Sequence, residues 1–145
     1  VRSPRQVSEH KFKAIAASPY HNLALDTDGI VYAWGENDNY QSGKPESTDR
    51  VRSPRQVSEH KFKAIAASPY HNLALDTDGI VYAWGVNDRY QCGKPESTDR
   101  VRSPRQVSEH KFIAIAASPY HSLALIEGGS LVPSEWAVSS YGDVW

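Results

Sequence analysis

Short apolar-rich runs separated by polar turns recur along this chain, and their lengths and alternation are those of β-strands. Phe12-Lys13-Ala14-Ile15-Ala16-Ala17 is one such run. His21-Asn22-Leu23-Ala24-Leu25 places His21, Leu23 and Leu25 on one face, the two-residue period of an extended chain. Ile30-Val31-Tyr32-Ala33-Trp34 is β-branched and aromatic, as a half-buried strand requires. Val1-Arg2-Ser3-Pro4-Arg5-Gln6-Val7 carries a proline, which suits an outer strand. Asp26-Thr27-Asp28-Gly29 joins the second and third runs, and its Asp-Gly pair tolerates the positive φ of a tight hairpin. Ser18-Pro19-Tyr20 supplies another turn, and Gly35–Arg50 forms a long polar loop rich in Asn, Asp, Gly, Pro and Ser. No segment sustains the 3.6-residue apolar period of a helix.

The whole pattern repeats every fifty residues. Val1–Arg50 and Val51–Arg100 differ only at Glu36/Val86, Asn39/Arg89 and Ser42/Cys92. A third copy follows through Leu125, with Ile113 for Lys63 and Ser122 for Asn72, and then diverges to Trp145. A fixed period of this size means that each unit is one supersecondary block burying its apolar face against a neighbour. The units are 1–50, 51–100 and 101–145. Four strands per unit is the make-up of a propeller blade, so the expected fold is all-β, with blades of four antiparallel strands.

Composition narrows the function classes. At 39% hydrophobic residues the chain can build a core. Sixteen Lys and Arg against seventeen Asp and Glu leave no basic excess, so no nucleic-acid partner is expected. Ala14–Ala17 is the longest purely apolar stretch, far short of the ~20 residues that cross a bilayer, and no membrane partner is expected. No signal-peptide pattern opens the chain. Cys92 is the sole cysteine, which leaves no intrachain disulfide.

Candidate chemistry resolves mostly into structure. His21, His71 and His121 recur at equivalent places, and a ring of imidazoles could hold a metal. Each, however, begins a strand whose leucines face the core, where a histidine bonded to a turn is the commoner arrangement. His10, His60 and His110 sit in polar Ser-Glu-His-Lys connectors and are expected to be solvated. Asp26-x-Asp28-Gly29 echoes a calcium loop but lacks the later ligands. Nothing activates Ser3, Ser8 or Cys92 as a nucleophile. Trp34 and Trp84 are expected to pack between blades. No catalytic residue, cofactor or metal site is therefore expected. The differences between the first two units all fall in one loop, and a core would not exchange Glu36 for Val86 freely. That loop is expected to lie exposed at one rim of the blades, making Glu36, Asn37, Asp38, Asn39 and Tyr40, with Val86, Asn87, Asp88, Arg89 and Tyr90, the candidate partner-binding residues.

The stretch Ile15–Gly35 resembles the repeat of the regulator-of-chromosome-condensation family. Those repeats run as an Ala-Ala-Gly turn, a His-Ser-Leu-Ala-Leu strand, an Asp-Gly hairpin and a Val-Tyr-x-Trp-Gly strand, followed by a Gly-Gln-Leu-Gly loop and a Val-Pro strand. Here Ser18 replaces the turn glycine, and Tyr40-Gln41-Ser42-Gly43 and Tyr90-Gln91-Cys92-Gly93 replace the loop motif. In the third unit Trp136–Asp143 aligns with the Trp-Gly loop stretch after a two-residue insertion.

The resemblance implies that the Val-Pro strand finishes the preceding blade, giving blades at 12–57, 62–107 and 112–145. On that division Val1–Val7 is an orphan strand, and the third blade lacks its outer strand. Propellers close with roughly four to eight blades. The orphan strand (Val1, Arg2, Ser3, Pro4, Arg5, Gln6, Val7) is thus a candidate ring-closing strand, joining two copies head to tail as a homodimer of about six blades. Three functions are consistent with the resemblance. One is a non-enzymatic scaffold or protein-binding module, recently duplicated or engineered for self-assembly. Another is a regulator of a small GTPase, since the founding family member is an exchange factor for Ran. The third is a secreted inhibitor like the β-lactamase-inhibiting propellers. The near-identity of the units fits the first best, with itself or another protein as partner.

Overall fold

The alternating runs fold as strands because each buries alternate side chains against the next unit. The computed structural model describes residues 3–126, together with the backbone of 137–139 and 142–144. The first sheet holds β1 (Phe12–Ala17), β2 (His21–Asp26), β3 (Val31–Gly35) and β4 (Val51–Gln56), in that order and all antiparallel. The second repeats it with β5 (Phe62–Ala67), β6 (His71–Asp76), β7 (Val81–Gly85) and β8 (Val101–Gln106). No helix occurs among the described residues.

The β2–β3 and β6–β7 hairpins are each set by an aspartate. Asp26 Oδ1 accepts from the amides of Asp28 (2.8 Å) and Ile30 (2.9 Å), which folds the turn back on itself. Gly29 sits at φ 87°, and a Cβ there would lie 2.9 Å from the Phe62 carbonyl oxygen. Only glycine lets this turn touch the next blade, where the Phe62 amide donates to Gly29 O at 2.7 Å.

The third sheet has a different chain order. It contains β9 (Ala114–Ala117), β10 (Ser122–Leu125), β11 (Ala137–Ser139) and β12 (Gly142–Val144), arranged β9-β10-β12-β11. β12 pairs with β10, Leu123 opposite Val144, in the place that β3 and β7 hold elsewhere. β11 then takes the outer place by pairing with β12. The expected vacancy is therefore filled by β11. Gly142 and Asp143 likewise lie in a core-adjacent strand rather than in the rim loop with which they were aligned. Trp136, Ser140 and Tyr141 of that alignment lie outside the described residues, as do Val1 and Arg2. Ser3–Val7 is assigned to no strand.

The sheets stack through their inner strands, β5 packing on β1 and β2, and β9 on β5 and β6. Strand pairing shows which residues share a face. Ala14, Ala16, His21, Leu23 and Leu25 form the side of the first blade that meets the second. Ile15, Ala17 and Asn22 point the opposite way. One continuous core results, running from Leu23, Leu25 and Val31 through Phe62, Leu73 and Trp84 to Phe112. Burying each leucine contributes about 2 kcal/mol.

Candidate protein-binding rim

Two backbone bonds define one rim of the array. Glu36 N donates to Tyr20 O (2.8 Å) and Val86 N to Tyr70 O (2.9 Å), so each long loop lies beside the Ser-Pro-Tyr turn of its own blade. Gly35 makes this approach possible, since a Cβ there would lie 2.7 Å from both Tyr20 O and His21 Cα.

The loop is braced from within. Asn37 Nδ2 donates to Lys44 O (3.0 Å) and Ser47 O (2.6 Å), and its Oδ1 accepts from Ser42 N (3.0 Å). Asn87 repeats all three bonds with Lys94, Ser97 and Cys92. Gln41 accepts from Asn39 N and donates to Asp38 Oδ1. Tyr40 is buried at φ 62°, and its ring lies under the guanidinium groups of Arg100 (5.0 Å) and Arg102 (4.7 Å) from the second blade's outer edge.

The candidate residues therefore divide. Asn37, Asn87 and Tyr40 are buried and hold the loop and the blade junction together, so they are not free for a partner. Glu36 and Val86 are half-buried, and Glu36 pairs with Arg50. Asn39 is half-buried, while Asp38, Asp88, Arg89 and Tyr90 are exposed. Exposure does not extend to Ser42 or Cys92, both fully buried. The thiol of Cys92 occupies the place of the Ser42 hydroxyl and donates to Val86 O as Ser42 does to Glu36 O. Burial pushes the Cys92 thiol well up, which suits a structural and not a nucleophilic cysteine.

The structure adds residues that sequence reasoning passed over. Tyr20 and Tyr120 are 48% and 55% exposed on this rim. The rings of Tyr20 and Tyr70 lie 5.9 Å apart across the blade junction, and Arg89 lies 4.6 Å over Tyr120. The neighbouring Tyr20, followed by burial, raises the Tyr70 phenol above its ordinary value. Their signal was recurrence at a turn position outside any strand alternation, where no core demand explains an aromatic ring.

The histidines do two other jobs. His21 Nε2 donates to Asn72 Oδ1 (2.5 Å) of the next blade, and Asn72 Nδ2 donates to Gln41 O (2.6 Å) back in the first. His71 Nε2 donates to Ser122 Oγ (2.8 Å), whose hydroxyl donates to Gln91 O (2.7 Å). Each Nδ1 is left to accept from Ser18 or Ser68, so both rings are neutral. Burial lowers the His21 pKa and carries that of His71 down to about 3. Trp84 Nε1 joins the same junction by donating to Gln41 O at 3.2 Å.

His10 and His60 are not simply solvated. Their Nε2 atoms bond Asp26 and Asp76 at 2.8 and 2.9 Å, and their rings pack on Tyr32 and Tyr82 at 4.6 Å. Burial would raise the Asp26 carboxyl, but bonds from His10 and from the Ile30 and Asp28 amides outweigh it and hold the pKa low. Among the described residues no three His, Cys, Asp or Glu side chains cluster as metal ligands.

Two family models, both described as the regulator of chromosome condensation (RCC1) repeat, match the chain, one at residues 28–75 and 78–125, the other at 12–41 and 62–91. No curated protein sequence matches it. Among solved structures, human WBSCR16 is similar with a TM-score of 0.76 at 19% identity, over 98% of this chain and 39% of that one. Prp20p from Saccharomyces cerevisiae, described with its binding to Gsp1p and histones, gives 0.72 at 24% identity, over 92% and 38%. Yeast RCC1 (Prp20) bound to Kap60 gives 0.72 at 25%, over 92% and 36%. The chain thus spans less than two fifths of the length of these relatives. Tandem four-stranded blades, the repeat matches and these propeller relatives agree: the chain belongs to the RCC1 repeat family.

Proposed function

We propose that this chain is a non-catalytic protein-binding β-propeller module that engages a protein partner through its tyrosine rim. The observation that carries this reading is the row of exposed Tyr20 and Tyr120 with Tyr70 between them, set beside Asp38 and Arg89 on loops braced from within. Tyrosine and arginine contribute most to protein interfaces, and a braced loop loses little entropy on binding. Prp20p, a relative with the same fold, is described as binding Gsp1p and histones, which supports a protein as the partner class.

The test titrates purified core histones and Gsp1p against the chain and against a Tyr20→Ala, Tyr70→Ala, Tyr120→Ala variant. Saturable binding that the triple variant weakens at least about tenfold, with an unchanged melting temperature, supports the reading. Binding to neither protein, or equal binding by the variant, counts against it. Acceleration of nucleotide release from Ran would instead establish the regulator reading.

A further inference from the structure

The two internal blade junctions show what covers each side of a blade, and the array presents one uncovered copy of each side. On the front of the second blade Ile65 packs against the core that the blades share, Asn72 accepts from His21, and Trp84 reaches Gln41 O. Their counterparts on the first blade are less covered: Ile15 is 80% exposed, and Asn22 and Trp34 are only half-buried, Trp34 lying beside residues 3–7. On the back of the first and second blades Leu23 and Leu73 are fully buried, and His21 and His71 each reach across. On the back of the third, Leu123 is 42% exposed, and Ala116 and His121 are exposed as well. The exposed back carries the donor and the exposed front its acceptor.

We propose that a second copy of this chain docks head to tail, its Ile15, Asn22 and Trp34 face covering the Ala116, His121 and Leu123 face of the first. His121 Nε2 then donates to Asn22 Oδ1 of the other copy, as His21 does to Asn72 within one chain. Ser118 Oγ already lies 2.9 Å from His121 Nδ1, the arrangement that orients His21 and His71 for their junctions. Both faces are used twice in a two-chain ring of about six blades, within the range in which propellers close. The second copy also completes the rim, because Tyr120 of one chain meets Tyr20 of the other as Tyr20 meets Tyr70.

This places the closing contact on blade faces and not on residues 1–7, since β11 already holds the outer place of the third sheet. The inference does not rest on partner binding at the rim, and its test does not involve rim residues.

The test is the solution mass of the chain by sedimentation equilibrium, with five altered chains. The expected mass is twice that of one chain. Ile15→Asp and Leu123→Asp alter exposed residues, so each should fold normally by circular dichroism, yet each should weaken the dimer about a hundredfold by burying an unpaired carboxylate. Mixing the two variants should restore pairing, because one junction of the mixed dimer then joins an unaltered front to an unaltered back. Deleting residues 1–7 should leave the dimer intact. A monomeric wild type, a mixture that stays monomeric, or loss of the dimer on deleting residues 1–7 would each overturn the proposal. So would an asparagine relay of no consequence, seen as Asn22→Ala and His121→Ala leaving dimer affinity unchanged where about a fivefold loss is expected.

Discussion

Acidification should loosen the blade junctions, and His71 makes the effect calculable. The ring is fully buried between Ser68 and Ser122, with His21 and His121 as the nearest titrating neighbours. Its pKa falls from 6.5 to about 3, chiefly through burial and then through the other two histidines. The unfolded chain therefore binds a proton below pH 6.5 that the folded chain refuses down to about pH 3. Stability is complete above pH 6.5 and is lost as pH falls through that window. At about 1.4 kcal/mol per pH unit, His71 alone removes about 2 kcal/mol between pH 7.5 and 5. His21, lowered for the same reason, adds to the loss. Urea unfolding followed by tryptophan fluorescence at the two pH values measures the difference, since Trp84 lies buried in the same junction. His71→Gln should be less stable at pH 7.5 but should lose about 2 kcal/mol less on acidification than the parent chain. If the variant shows the same acid loss as the parent, the buried neutral histidine is not the cause and the reasoning fails.

Three further perturbations follow from the geometry. Gly85→Ala should cost about 3 kcal/mol or more, because the new Cβ would lie 2.4 Å from Tyr70 O at a backbone φ of 115°; chemical denaturation reads this directly. Asn87→Ala strips three partners from a buried loop and should cost about 2–4 kcal/mol in the same assay. Cys92→Ser should change stability by less than about 1 kcal/mol, since Ser42 fills the equivalent site. Native Cys92 should resist thiol reagents until urea unfolds the chain.

Strands and hairpins were legible in the sequence because their causes are local. Alternation in His21–Leu25 places leucines on one face, and Asp26 closes its hairpin with amides two and four residues away. Apart from Trp84, which packs at a blade junction as expected, what spans blades was not legible. His21 bonds a residue 51 positions on, just beyond one repeat period, and the only trace is that Ser122 replaces Asn72 while still presenting an oxygen to the ring. His10 looked solvated because its flanks are polar, whereas its partner Asp26 lies sixteen residues away across the connector. The rim loop looked wholly exposed for a similar reason: Asn37 and Ser42 are polar, yet they spend that polarity on the loop's own backbone. In the third sheet the strand order changed, and periodicity carries no information about which of two short strands lies inside.

The most direct measurement is hydrogen–deuterium exchange of the chain with and without core histones or Gsp1p at saturating concentration. The account predicts new protection in the turns at 18–20, 68–70 and 118–120 and in the loops at 36–40 and 86–90, with the outer strands β4 and β8 unchanged. Protection confined to β4 and β8, or none on the tyrosine rim while binding persists, would contradict it.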